Sequence, residues 1–301
     1  MLTLLGKNWS YVLFAFFILF SSCEEDFHVD KPGKQMLVIH SLLTPGEPVK
    51  VEVSNTAFPY QEPLKKHIPA NVDLFLKDDT GMQTGDFVFE DSMYILKNFI
   101  IRTGRHYSLQ VSSDEYGMVS AESYVPLPVE VKGFDMEKGV DDNGVEVLHV
   151  RFKVAMMDTT QYLIIRHIVY KTVVTVQQDT VRYSDTVWIE SRHPDFERVL
   201  PESAVRKVLF AKVSGGGNFD FYSYDGFYKN ANVIYGKSEF QLIACSKEYY
   251  DYMRSKIAYH WNKPLNTPNV VVPISLYSNI RNGFGIFAGY SPVIITREFR
   301  Q

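Results

Sequence analysis

The chain has 301 residues, 46% hydrophobic and 22% charged, the composition of a folded protein rather than a disordered one. Its 31 basic and 35 acidic residues leave a formal charge of −4, which sets aside general nucleic-acid binding, because that needs a basic surface. Aromatics at 14%, with 19 Tyr and 21 Phe, favour strands over a helical bundle, and the length suits about two domains at ~150 residues each or one large β domain.

The first residues read as an address. Lys7 gives a positive start, and Tyr11–Phe20 is an uncharged apolar run of ten residues. That is short of the ~20 helical residues that span a bilayer, so residues 1–22 are expected to be a signal peptide. The run Leu19-Phe20-Ser21-Ser22-Cys23 resembles a bacterial lipobox. The resemblance implies that Cys23 becomes the acylated N-terminus, carrying diacylglycerol and an amide-linked chain such as palmitate. A conventional signal peptide that ends near a cysteine is the alternative. Glu24-Glu25-Asp26 follows directly and resembles the surface-export signal of Bacteroidota lipoproteins. Residues 23–35 are then an acidic tether.

Residues 36–127 show period-two apolar patterning between turns. Met36–Ile39 opens a strand, Pro45-Gly46 turns, and Val49, Val51 and Val53 alternate with polar residues. Val72, Leu74 and Leu76 form another such face before the turn Asp78-Asp79-Thr80-Gly81, and Tyr107, Leu109 and Val111 a third. Short strands between Gly/Asp turns predict an antiparallel sandwich, immunoglobulin-like or prealbumin-like.

Pro126-Leu127-Pro128 punctuates the chain, and residues 128–301 are expected to form a larger β-rich domain with one or two short helices. Asp141-Asp142-Asn143-Gly144 is a hairpin turn, followed by a strand with Leu148, Val150, Phe152 and Val154 on one face. A long hairpin is expected from Tyr162–Val176 and Thr180–Ile189. Pro201–Lys207 suits a short helix with Pro in its first turn. Ser246 suits an N-cap for a helix over about 247–258, with Glu248 in the first turn. Cys245 ends the apolar run from Phe240 and is expected to be a free, buried thiol.

Motifs for chemistry are sparse. No His-x-x-x-His occurs, and neither cysteine has a partner at metal-ligand spacing, so no metal site or cofactor is expected. Asp141–Gly144 fails as a calcium loop, since the bidentate Glu position falls on Val150. Gly215-Gly216-Gly217 lacks the ending of a phosphate loop, and no Gly-x-Ser-x-Gly elbow is present. Residues 218–228 pack Phe219, Phe221, Tyr222, Tyr224, Phe227 and Tyr228 beside the triglycine. Such a segment suits a sugar, a peptide or a protein partner; core-facing strands are the alternative.

The C-terminal run Ser278-Asn279-Ile280-Arg281-Asn282-Gly283-Phe284-Gly285-Ile286-Phe287 resembles the closing signature of a Bacteroidota lipoprotein family known as domain of unknown function 4249. Ser246-Lys247-Glu248-Tyr249-Tyr250-Asp251-Tyr252 is similar to that family's helix start, and Leu37-Val38-Ile39, Pro48–Val51, Ala70-Asn71-Val72 and Gly104 with Tyr107–Leu109 fall in family order. The resemblance implies an outer-membrane lipoprotein and no stated activity. Gly283, Gly285 and Gly289 are expected to allow bulges or positive φ near a sheet edge.

The expected function is therefore a surface-anchored, non-catalytic binding or accessory protein. It would hold a glycan or peptide, or stand beside a β-barrel transporter of the TonB-dependent class in nutrient uptake. A structural or adhesive envelope component, and then a surface hydrolase, are the alternatives. Ser92, Thr159, Thr180 and Thr186 each follow an Asp, which resembles an O-glycosylation pattern of Bacteroidota exported proteins.

Overall fold

In the computed structural model, residues 34–56, 71–155, 160–174, 179–197, 207–224, 233–261 and 275–298 are described, and the period-two segments among them are strands. β1 (Leu37–Leu43) buries Leu37, Ile39, Ser41 and Leu43, and β2 (Val49–Asn55) buries Val49, Val51 and Val53. Alternate apolar residues put one oily face on each pleat, and that face must be covered. The cover is the sheet formed by β3 (Val72–Asp78), β4 (Gln83–Thr84), β7 (Arg105–Ser113) and β8 (Gly117–Val125), in the order β4-β3-β7-β8. Between β4 and β7 in the chain lie β5 (Val88–Glu90) and β6 (Met93–Leu96), which extend the first sheet as β1-β2-β6-β5. Leu37, Ile39, Val51, Leu74, Leu76 and Leu109 meet in the core between them. The Asp78 carboxylate holds the turn after β3 by accepting the N–H groups of Thr80 at 3.0 Å and Met82 at 2.9 Å.

The second sandwich begins with β9 (Val131–Val140) and β10 (Glu146–Val154), joined at the Asp141–Gly144 turn. There the Asp141 carboxylate accepts the N–H groups of Asn143 and Val145, both at 2.9 Å. β11 (Gln161–Val174) and β12 (Thr180–Thr186) form the long hairpin. The chain continues through β13 (Ile189–Glu190), β14 (Phe196–Glu197), β15 (Leu209–Val213), β16 (Gly217–Ser223) and β17 (Val233–Cys245). It then forms α1 (Lys247–Trp261) and β18 (Phe284–Glu298). One sheet has the order β13-β16-β10-β9. It faces the sheet containing β14-β15-β11-β17-β18 across a core of Val150, Phe152, Leu163, Ile165, Phe219, Phe221 and Phe240. α1 covers the other side of that sheet, over Ile164, Phe210, Ile243, Cys245 and Ile286. Cys245 is buried and unpaired, and burial pushes its thiol pKa up. The chain is thus mainly β, and α1 is the one helix among the described residues; residues 201–206, where a second was expected, lie outside them.

One pairing departs from the antiparallel expectation. The first half of β18, Phe284–Gly289, runs parallel to β1, and its second half, Tyr290–Glu298, runs antiparallel to β17. A single ten-stranded sheet therefore passes through both sandwiches, and the expected division at residues 127–128 falls between β8 and β9 while β18 lies across it. The glycines of β18 sit inside this sheet and not at its edge. Gly285 has φ 112, and a Cβ there would lie 1.9 Å from the Ile39 carbonyl oxygen. A Cβ on Gly289 would lie 2.5 Å from that of Tyr124. No side chain fits where β18 is pressed between β1 and β8.

Candidate functional site

The alternation that fills the second core also builds a polar surface on its far side. β10 sends Leu148, Val150 and Phe152 inward, and leaves His149, Arg151 and Lys153 outward. β16 sends Phe219 and Phe221 inward, and leaves Asn218, Asp220 and Tyr222 outward. The registers of β10 with β9 and β16 align two cross-strand rows, Glu137–His149–Tyr222 and Asp135–Arg151–Asp220.

Ion pairs fix these rows. Arg151 donates from Nη2 to Asp135 at 2.7 Å and from Nη1 to Glu137 at 2.9 Å. The hydrogen bond from Arg151 holds the Asp135 carboxyl below its ordinary pKa, and the bonds to Asp135 and Glu137 hold Arg151 above its own. His149 Nε2 lies 3.3 Å from Asp220 Oδ2, Nδ1 lies 3.8 Å from Glu137, and the ring lies 4.9 Å from that of Tyr222. At the far end of β9, Gly133 has φ 69, where the register with β10 shifts between Phe152 and Lys153, a bulge. The result is an open depression of about 660 Å³, bordered by Lys132, Asp135, His149, Arg151, Lys153 and Asp220. Carboxylates, a guanidinium and an imidazole, all partly exposed and held in place, can accept and donate hydrogen bonds to a ligand.

The aromatic segment expected to be a contact surface divides. Phe219 and Phe221 are core residues, 2% and 1% exposed, and Phe219 stacks on Phe152 at 5.5 Å. Period two turns both rings toward the facing sheet, and of the two only Phe219 reaches the edge of the depression. Tyr222 lies on the outer face. The Tyr224 hydroxyl lies 3.2 Å from the carboxylates of both Asp141 and Glu190 and donates to one of them at a time, and burial, then Glu190, pushes its pKa up. Phe227 and Tyr228 lie outside the described residues, as do Cys23, Glu24, Glu25, Asp26 and Thr159. Ser92 is exposed in the turn between β5 and β6, Thr180 is exposed at the start of β12, and Thr186 is half-buried at its end. Asp135, Glu137, His149, Arg151 and Asp220 were not singled out from the sequence. The signal was there in β10, as the polar complement of Leu148, Val150 and Phe152.

The C-terminal run that carries the family resemblance lies elsewhere, at the junction of the two sandwiches. Asn279 donates from Nδ2 to the carbonyl of Phe287 at 2.7 Å and to that of Glu122 at 3.2 Å, and accepts the Phe287 N–H at 3.0 Å. A family model for a domain of unknown function, DUF4249, matches residues 24–294. The chain belongs to the DUF4249 family. No curated protein matches it.

In this DUF4249 chain the second resembling segment is also architectural. Ser246 caps α1 by accepting the Tyr249 N–H at 3.2 Å, and its own N–H reaches the Gly289 carbonyl at 2.9 Å. Ser123 of β8 accepts the Gly289 N–H at 3.2 Å and donates to Glu248 at 3.3 Å. Among the described residues no helix is long and apolar enough to cross a membrane, and no three His, Cys, Asp or Glu side chains gather as metal ligands would.

Proposed function

We propose that this DUF4249 chain is a non-catalytic binding or accessory protein, lipid-anchored through Cys23 on the outer face of a Bacteroidota outer membrane. There it stands beside a β-barrel transporter of the TonB-dependent class. The depression on the outer face of β9, β10 and β16 carries this reading, because its hydrogen-bonding groups are fixed before any ligand arrives. The same ion pairs favour binding over hydrolysis. A hydrolytic pair needs one carboxyl kept protonated, whereas Arg151 holds Asp135 ionised and bonds Glu137 as well. The lipobox-like run and Glu24-Glu25-Asp26 support the anchored, outward placement. A tether over residues 24–35 reaches at most about 40 Å at ~3.3–3.6 Å per residue, which keeps the folded part near the membrane.

Three measurements test this. Intact mass of the mature protein should show an acylated Cys23, and Cys23→Ala should leave the detergent phase. Replacing Glu24, Glu25 and Asp26 with Ala should leave acylation intact but protect the protein from protease added to whole cells. A pull-down from detergent-solubilised outer membranes should bring down one β-barrel protein in stoichiometric amount. A soluble wild type, or no such barrel, overturns the placement or the partnership respectively.

A further inference from the structure

We propose that the depression on the outer face of β9, β10 and β16 takes a neutral oligosaccharide; this rests on reading that face as a binding surface and names its ligand class. Taken together the fixed charges there balance, with Lys132, Arg151 and Lys153 set against Asp135, Glu137 and Asp220. Arg151 is bonded to Asp135 and Glu137, and His149 lies against Asp220. A polyanion would meet Asp135 and Asp220 with Glu137 beside them, and a polycation would meet Lys132, Arg151 and Lys153, so neither finds a complementary field. A sugar hydroxyl both donates and accepts, and neighbouring hydroxyls match the paired oxygens of a carboxylate. Asp135, Glu137 and Asp220 keep lone pairs for this role, since each carboxylate offers about four acceptor sites and the ion pairs use only some of them.

The face also supplies the apolar part of sugar recognition. His149 borders the depression and its ring lies 4.9 Å from that of Tyr222, just beside it, the two tilted by 43°, a flanking wall that the C–H side of a pyranose can cover. The volume of about 660 Å³ falls within the ~300–1,000 Å³ of small-ligand sites. Its open form suits one or two rings of a longer chain better than an enclosed metabolite. A peptide added as a strand is disfavoured. β9 is the edge of its sheet, but the bulge at Gly133 interrupts it, and exposed Lys132, Glu137 and Lys138 line it.

The test is an array of neutral, uronate-containing and amino oligosaccharides together with unmodified peptides, probed with the full lipidated protein in detergent. At least one neutral saccharide should bind, with an affinity that does not change from low to high salt. Arg151→Met and Tyr222→Ala should each weaken it about tenfold or more, with the urea midpoint of each variant showing that it is folded. The proposal is overturned if no neutral saccharide binds, if uronates or peptides bind instead, or if both folded variants keep wild-type affinity. The barrel pull-down and Cys23 acylation do not depend on this outcome. Failure here with those intact removes the sugar alone, and failure there with saccharide binding intact removes the placement alone.

Discussion

The junction around β18 and the outer face of β9, β10 and β16 are both rich in polar side chains, yet they use them in opposite ways. At the junction, the side chains of Asn279, Ser123 and Ser246 bond to main-chain groups of Phe287, Glu122, Gly289 and Tyr249. Their capacity is used inside the protein. On the outer face, Asp135, Glu137, His149, Arg151 and Asp220 pair chiefly with one another at the surface and keep capacity facing solvent. The C-terminal run and the helix start that resemble the family belong to the first region. A residue pattern that identifies a fold marks places where the backbone leaves little choice of side chain, and it need not mark where a ligand sits.

The sharpest way to break this comparison is Gly285→Val. The new Cβ would meet the Ile39 carbonyl oxygen at 1.9 Å, at a φ of 112 that L residues rarely adopt. The expected loss is about 4 kcal/mol or more, enough that little folded protein accumulates. Gly139→Ala is the control, because nothing lies within 4 Å of its Cβ and its φ is ordinary. It should stay within about 0.5 kcal/mol of wild type in urea unfolding. Equal effects of the two would mean that β18 is not wedged as described.

The next effect lies beneath the polar face. His167 of β11 is fully buried, stacks on Phe240 at 4.0 Å, and pairs through Nδ1 with Ser223 of β16 at 2.7 Å. Burial, with Lys171 adding to it, lowers its pKa from 6.5 to about 3. The unfolded chain therefore takes up the proton first. The stability that neutral His167 contributes is complete above about pH 6.5 and falls as the pH drops toward 3. At ~1.4 kcal/mol per pH unit, the loss by about pH 4 is roughly 3 kcal/mol. Asp78, Asp135, Asp141, Glu197 and Glu239 are all lowered from values of 3.8 or 4.5, so their losses come mostly below the upper part of this window. Urea unfolding from pH 7.5 down to about pH 5 should show a slope that His167→Gln flattens; an unchanged slope removes His167 as its source.

Asn279→Ala should cost somewhat less, about 2 kcal/mol, because it leaves the N–H and C=O of the buried Phe287 without their side-chain partner. Urea unfolding measures it, and a loss within error of zero would show that solvent replaces the clasp.

The sequence carried the local half of this fold. β1, β2, β3, β7 and β10 were legible because an apolar residue at every second position has one reading when turns bound the run. α1 was legible from its cap, Ser246, and from acidic Glu248 in the first turn. The parallel pairing of β1 with β18 was not, since Val38 and Phe284 lie at opposite ends of the chain and no local pattern joins them. The candidate site failed for a related reason. Dense aromatics at 219–228 drew attention, while period two within that run already turned Phe219 and Phe221 inward. His149, Arg151, Asp135 and Asp220 become one surface only when the registers of three strands are known.

Arg151→Met should have the smallest effect on stability, and it decides whether the two regions differ in kind. The Arg151 side chain is 45% exposed, and its partners Asp135 and Glu137 are 65% and 52% exposed. Water already solvates all three, so their attraction is screened, and ordering long side chains opposes it. Removing the guanidinium leaves two carboxylates that water can take over, and the methionine keeps the apolar stem against the sheet. The urea midpoint should therefore match wild type within error, while the Asp135 carboxyl should titrate closer to its ordinary range once its hydrogen-bond donor is gone. A midpoint lowered as far as that of Asn279→Ala would show that the outer face braces the sandwich as the junction does. Its ion pairs would then be part of the fold, and the surface would lose its claim to be a prepared binding site.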